Sequence, residues 1–342
     1  GTKPKLYYVG VEGDLLQPTL MEPQSTHLWA DKQPGEDLYA LLKEKQGKNT
    51  PGMAREVYDV PHPPLWGRMI ASYLWTKSIG AGTLLVAAIL LGMGYKGESL
   101  LHIASPVLAL IFTGLTVSLL VFDLKRPERF FYILIKPNPR SWLVLGGYIL
   151  TLYGFLACLW LFFGFVKGAV PGVVFWLSAI LAIGSACYSA FLFAQAKGRD
   201  LWQSRLFFWH LMIQAIIAGA ATLLVYGVIF QPGSSVIGVL SKVLSASLVL
   251  SVALILAEVF LTPLNEEVRR ATNLMKKGAL SWSFWGLVIG VGVILPLVVL
   301  LLSNTQNYTT PIFQISASVF ALFGLWVFED LWIKAGQAVP LS

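Results

Sequence analysis

The chain reads as an all-α integral membrane protein of eight transmembrane helices, and two observations carry that reading. Of its 342 residues 56% are hydrophobic and 13% charged, with a mean hydropathy of +0.68; soluble domains hold about a quarter charged residues. Eight stretches, at 69–94, 100–122, 141–166, 172–195, 208–230, 236–262, 282–303 and 311–333, are long and predominantly apolar. Each reaches the roughly 20 residues of helix needed to cross a core of about 30 Å. An even number of crossings puts both termini on one face. The expected organisation is an N-terminal arm at 1–62 followed by two four-helix bundles, at 63–205 and 206–342.

The arm is polar and rich in Pro, Gly, Lys and Glu, with one short helical candidate at Gly35–Lys45. Such a composition cannot bury a core of its own, so the arm is expected to lie along a partner subunit. Its opening residues lack the apolar run of a signal peptide. Val60-Pro61-His62-Pro63-Pro64 then forms a stiff extended turn into the first span.

The first span carries Tyr73 and Lys77 four residues apart, hence on one helical face. Farther along it, Gly80-Ala81-Gly82-Thr83-Leu84-Leu85-Val86 is echoed in the fifth span by Gly219-Ala220-Ala221-Thr222-Leu223-Leu224-Val225. The echo fits either a parallel repeat of two four-helix halves or small residues placed for close helix contact. His102 opens the second span and His210 the fifth; Cys158 and Cys187 sit in the third and fourth; Pro296 lies inside the seventh; Glu329 and Asp330 lie in the eighth.

The net charge of +7 is unevenly placed. Arg68, Lys125, Arg126, Arg129, Lys136, Arg140, Lys197, Arg199, Arg205, Arg269, Arg270, Lys276, Lys277 and Lys334 fall on one face, against Lys96 and Lys167 on the other. The positive-inside rule assigns the basic face and both termini to the cytoplasm. A basic face also suits an acidic partner.

Two cysteines without CxxC spacing cannot hold an iron–sulfur cluster or a tetrahedral zinc. The two membrane histidines start helices at opposite faces, so they cannot ligate one haem. What remains is a shallow polar layer under the basic loops. Counted from that face at 1.5 Å per residue, Lys77 lies roughly 12 Å deep. Tyr73, Tyr188, Gln214 and Glu258 share its layer. Ionisable groups in spans are expensive and point to function. A quinone head needs hydrogen-bond donors for two carbonyl oxygens and a protonatable group nearby, so Tyr73, Lys77, Tyr188 and Gln214 are the candidate quinone-binding set. Asp123, Glu258 and Glu329 are candidate proton-relay carboxylates, although Asp123 and Glu128 also suit pairing with Arg126 and Arg129. A proton-translocating or transporter module, and a purely structural anchor, are the alternatives.

Four motifs in order carry a family likeness: Asp123-Leu124-Lys125-Arg126-Pro127-Glu128-Arg129-Phe130, Asn138-Pro139-Arg140-Ser141, Ala196-Lys197-Gly198-Arg199-Asp200-Leu201-Trp202 and the closing Ala335–Ser342. Residues 69–342 resemble the NrfD/PsrC family, the membrane subunits of polysulfide-reductase-like complexes. The likeness implies a chain with no haem and no iron–sulfur cluster of its own, and menaquinone or ubiquinone bound as substrate. It further implies an iron–sulfur subunit docked near the quinone, leading to a molybdopterin or other catalytic subunit. It places the quinone between a polar residue early in the first helix and a tyrosine in the fourth, here Tyr73, where the polysulfide reductase subunit has histidine, and Tyr188. Glu329 stands where many relatives have arginine. Arg126, Arg129 and Arg140 are then the expected docking rim.

Overall fold

The computed structural model describes residues 5–10, 15–16, 54–59, 66–95, 99–124, 135, 137–196, 198–261, 266–305 and 311–338. The chain divides into two compact units, Gly1–Leu65 and Trp66–Ser342.

The first unit holds three strands, β1 (Lys5–Gly10), β2 (Leu15–Leu16) and β3 (Ala54–Asp59). They form an antiparallel sheet of order β2-β1-β3, with Tyr8 opposite Leu16 on one side and Glu56 on the other. This corrects the picture of an arm whose regular structure is one short helix. Averaged composition hid Leu6-Tyr7-Tyr8-Val9 and Val57-Tyr58, whose residue types favour a pleated backbone. The helix expected at 35–45 lies outside the described residues.

The second unit is helical. Eight helices among the described residues are long and apolar enough to cross a membrane: α1 (Arg68–Gly92), α2 (Leu100–Asp123), α3 (Trp142–Lys167), α4 (Gly172–Ala194), α5 (Phe207–Phe230), α6 (Ile237–Leu261), α8 (Ser283–Ile294 continued by Leu295–Thr305) and α9 (Pro311–Ala338). Between α6 and α8 runs a short helix, α7 (Glu266–Lys276). The all-helical membrane architecture agrees with the sequence reading.

α1 packs on α2 and α4, and α3 on both of those; α5 packs on α6 and α9, with α8 completing the second ring. The rings meet where α1 packs against α5 and α9. α1 is therefore central and almost wholly buried, whereas α2 is mostly peripheral. Its crossing with α5 is set by Gly82 and Gly219: a Cβ on either would overlap the other's backbone. The two echoed segments thus meet each other, and their small residues serve close contact. Gly292 of α8 and Gly324 of α9 approach equally closely.

Pro296 does not break its helix. It sits where a π-helical run ending at Ile294 passes into α-helix, a change of pitch suited to a residue with no N–H to donate.

Candidate functional site

At the basic end of the first ring, α1 and α4 meet through side chains rather than glycines. Tyr73, Lys77, Tyr188 and Ser189 are each at most 2% exposed. The Tyr73 and Tyr188 hydroxyls hydrogen-bond to each other, and Tyr73 Oη lies 3.4 Å from Ser189 Oγ. Lys77 Nζ donates to Ser189 Oγ at 2.6 Å and to the Ala186 carbonyl at 2.8 Å. The same ammonium stands 5.0 Å from the Tyr188 ring centre and 5.8 Å from that of Tyr73, within reach of their negative faces. On α9, the fully buried Glu329 carboxyl interacts electrostatically with Lys77.

Helical spacing explains the arrangement. Tyr73 and Lys77 are one turn apart on α1, and α4 turns Ala186, Tyr188 and Ser189 towards them. Gly146 of α3 makes the space, since a Cβ there would overlap the Tyr188 ring. Neither Ser189 nor Gly146 stood out in the sequence, because a small residue in a span usually signals helix contact alone. Ser189 follows Tyr188 directly, which is the one cue that could have found it.

The other expected residues separate. Gln214 does not join the phenols. It lines a cavity of about 20 Å³ inside the second ring, with Ser251, Leu248, Gly292, Leu325 and Phe328 also on its wall. The reason is angular: α5 turns Ala215 and Gly219 towards Gly82 of α1, and Gln214, one residue from Ala215, is rotated towards the ring's interior. Glu258 is buried on α6, takes a side-chain hydrogen bond from Ser204, and lies 3.8 Å from His210 Nε2. The layer inferred from depth alone is thus split between the two rings. Asp123 is exposed at the end of α2. Arg140 is exposed, its carbonyl accepting from Gln195 Nε2 at 3.1 Å; Arg126 and Arg129 lie outside the described residues.

Above the polar cluster the basic end is closed by aromatic rings. Trp66 stacks on Trp202 at 4.7 Å and Phe207 on Trp332 at 5.4 Å, with Phe193 edge-on to Trp66, Trp202 and Phe207. Gln337 clips the start of α1 to the end of α9, accepting from Trp66 N at 3.0 Å and donating to Trp66 O at 2.8 Å. Arg199 Nη1 donates to the Gln337 carbonyl at 3.0 Å.

Residues 56–340 match the family model described as polysulphide reductase, NrfD. The chain belongs to the NrfD family. Members of that family are integral membrane subunits of oxidoreductase complexes that work with iron–sulfur or molybdoenzyme subunits. No curated protein matches the chain. Among the described residues no three His, Cys, Asp or Glu side chains gather as a metal site. In this NrfD protein the polar chemistry of the first ring is therefore that of phenols, a hydroxyl and an ammonium.

Proposed function

We propose that the chain is the quinone-reactive membrane subunit of a multisubunit oxidoreductase, exchanging electrons between a docked iron–sulfur subunit and the membrane quinone pool. A molybdopterin-type catalytic subunit lies beyond the iron–sulfur subunit in this reading. One observation carries it: a buried ammonium and two buried phenols share one hydrogen-bonded cluster a few turns below the basic end. A quinone head has two carbonyl oxygens that gain negative charge on reduction. Tyr73 and Tyr188 are donors for such oxygens, and the Lys77 ammonium stabilises the developing charge in a low-dielectric setting. The two phenols bond each other here, so a head enters by exchanging that bond for bonds to its own carbonyls. Gln214, on the wall of a different cavity, is left out of the head site. Arg140, with Arg126 and Arg129, belongs to the rim on which the partner docks.

The test uses the complex purified with its partners, reduced methyl viologen as electron donor and a soluble naphthoquinone as acceptor. Combining Tyr188→Phe with Lys77→Leu is expected to lower quinone reduction by roughly a hundredfold, the scale of losing oriented charge-stabilising groups. An unchanged rate with the complex intact would make the chain a structural anchor instead.

A further inference from the structure

Four polar side chains of the second ring are buried, and of these only Glu329 acts on the cluster just described, through its charge. His210 and Gln214 sit one turn apart on α5, Glu258 is on α6 and Glu329 on α9, and none is more than 2% exposed. Among the described residues, neither oxygen of Glu329 has a hydrogen-bond donor, and Gln214 Oε1 and His210 Nε2 lack hydrogen-bond partners. Buried polar atoms are rarely left so, and in a membrane interior each is costly. That they converge on a single ring is more than helix packing asks for.

Their positions form a sequence. The His210–Glu258 pair, 3.8 Å apart, sits at the basic end, beside Ser204 of the surface connection that hydrogen-bonds Glu258. One turn deeper on α5 is Gln214; two turns deeper on α6 is Ser251; both line the cavity. Its volume of about 20 Å³ exceeds the roughly 10–15 Å³ that one water needs, and Gln214 and Ser251 are the polar partners such a water requires. It is far too small for a quinone ring. Leu325 and Phe328 of α9 form its opposite wall. Glu329 follows Phe328 and lies one turn from Leu325, on the helix that packs against α1, and its carboxyl acts electrostatically on Lys77 in the first ring.

We propose that the second ring is the proton-delivery arm of the first: protons enter at His210–Glu258, cross the cavity between Gln214 and Ser251, and reach the quinone cluster through Glu329 and Lys77. This rests on the quinone reading above. The balance is simple: a quinone taking two electrons from the iron–sulfur partner takes two protons to become quinol, and Glu329 passes a proton to the Lys77 amine each time Lys77 has given one up. Glu329 acts through Lys77 and is a positioning and relay residue, not one that touches the quinone.

The intact complex, driven by reduced methyl viologen, separates the possibilities with two acceptors. Soluble naphthoquinone needs protons on reduction; ferricyanide takes one electron and none. Glu329→Gln and the cavity-filling Ser251→Leu are expected to slow naphthoquinone reduction by roughly a hundredfold, the scale of a lost proton-transfer group. Their KM for naphthoquinone and their ferricyanide rate stay at the unaltered complex's values, and Glu329→Asp recovers part of the loss. Either variant reducing naphthoquinone at the unaltered rate, or losing both acceptors together, overturns the delivery arm. An unaltered complex that reduces ferricyanide but never naphthoquinone overturns the quinone reading itself, a separate outcome.

Discussion

Lys77 shows at single-residue scale how an ammonium is kept in a membrane helix. An isolated charge at that depth is costly, and two acceptors offset the cost, the Ala186 carbonyl and the Ser189 hydroxyl, with the Glu329 carboxyl acting on it electrostatically. Interhelical hydrogen bonds in membranes average about 0.6 kcal/mol, while bonds to charged groups in proteins reach about 1.5–3 kcal/mol. The fully enclosed ammonium favours the larger figure. Ser189→Ala is therefore expected to destabilise the chain by about 2 kcal/mol, read as a lower thermal midpoint in detergent, with Ser189→Thr close to the native protein. Gly146→Ala tests the neighbouring contact. Its Cβ overlaps the Tyr188 ring, so the ring must move, and the phenol pair with it. Naphthoquinone KM should rise while ferricyanide reduction holds.

Among the elements, the α1–α5 crossing decides how the rings meet. Gly82 and Gly219 bring backbone against backbone, so a large side chain at either cannot be accommodated by a rotamer change. Overpacking in a close-packed interior costs about 1–3 kcal/mol, and more where backbones must part. Gly219→Leu is expected to reduce the yield of intact complex on size exclusion and to lower its melting midpoint by several degrees. Gly114→Leu, at a position with open space around it, is the control and should do neither. The strands of the N-terminal unit teach the converse lesson about legibility: β1 pairs with β3 across more than forty intervening residues, a pairing that no local composition announces.

For the whole molecule, charge asymmetry is the property on which the proposed orientation and docking rest. Arg140 and Arg269 are exposed on the basic end, where attraction to an acidic partner is screened beyond about 8 Å at physiological salt. Arg140→Glu combined with Arg269→Glu should weaken retention of the iron–sulfur subunit, and the unaltered complex should lose that subunit progressively as salt rises, measured by pull-down. Orientation is checked by a cysteine introduced at Asn273, an exposed position on α7. Labelling by an impermeant maleimide is expected only from the cytoplasmic side, and labelling of intact cells from outside would reverse the topology.

The sequence by itself determined the class, the eight crossings and the first-ring residues Tyr73, Lys77 and Tyr188. Hydropathy is a local quantity summed over about 20 residues, and Tyr73–Lys77 spacing is a property of one helix. Depth along a helix was legible too, which is why Gln214 and Glu258 were grouped with them. Which way each faced was not. A membrane helix is apolar on all sides, so its sequence carries little sign of which side meets which neighbour. Only the tertiary structure turned Gln214 and Glu258 into the second ring, set Ser189 and Gly146 beside Tyr188, and coupled Lys77 electrostatically to Glu329, 252 positions along the chain by their numbers.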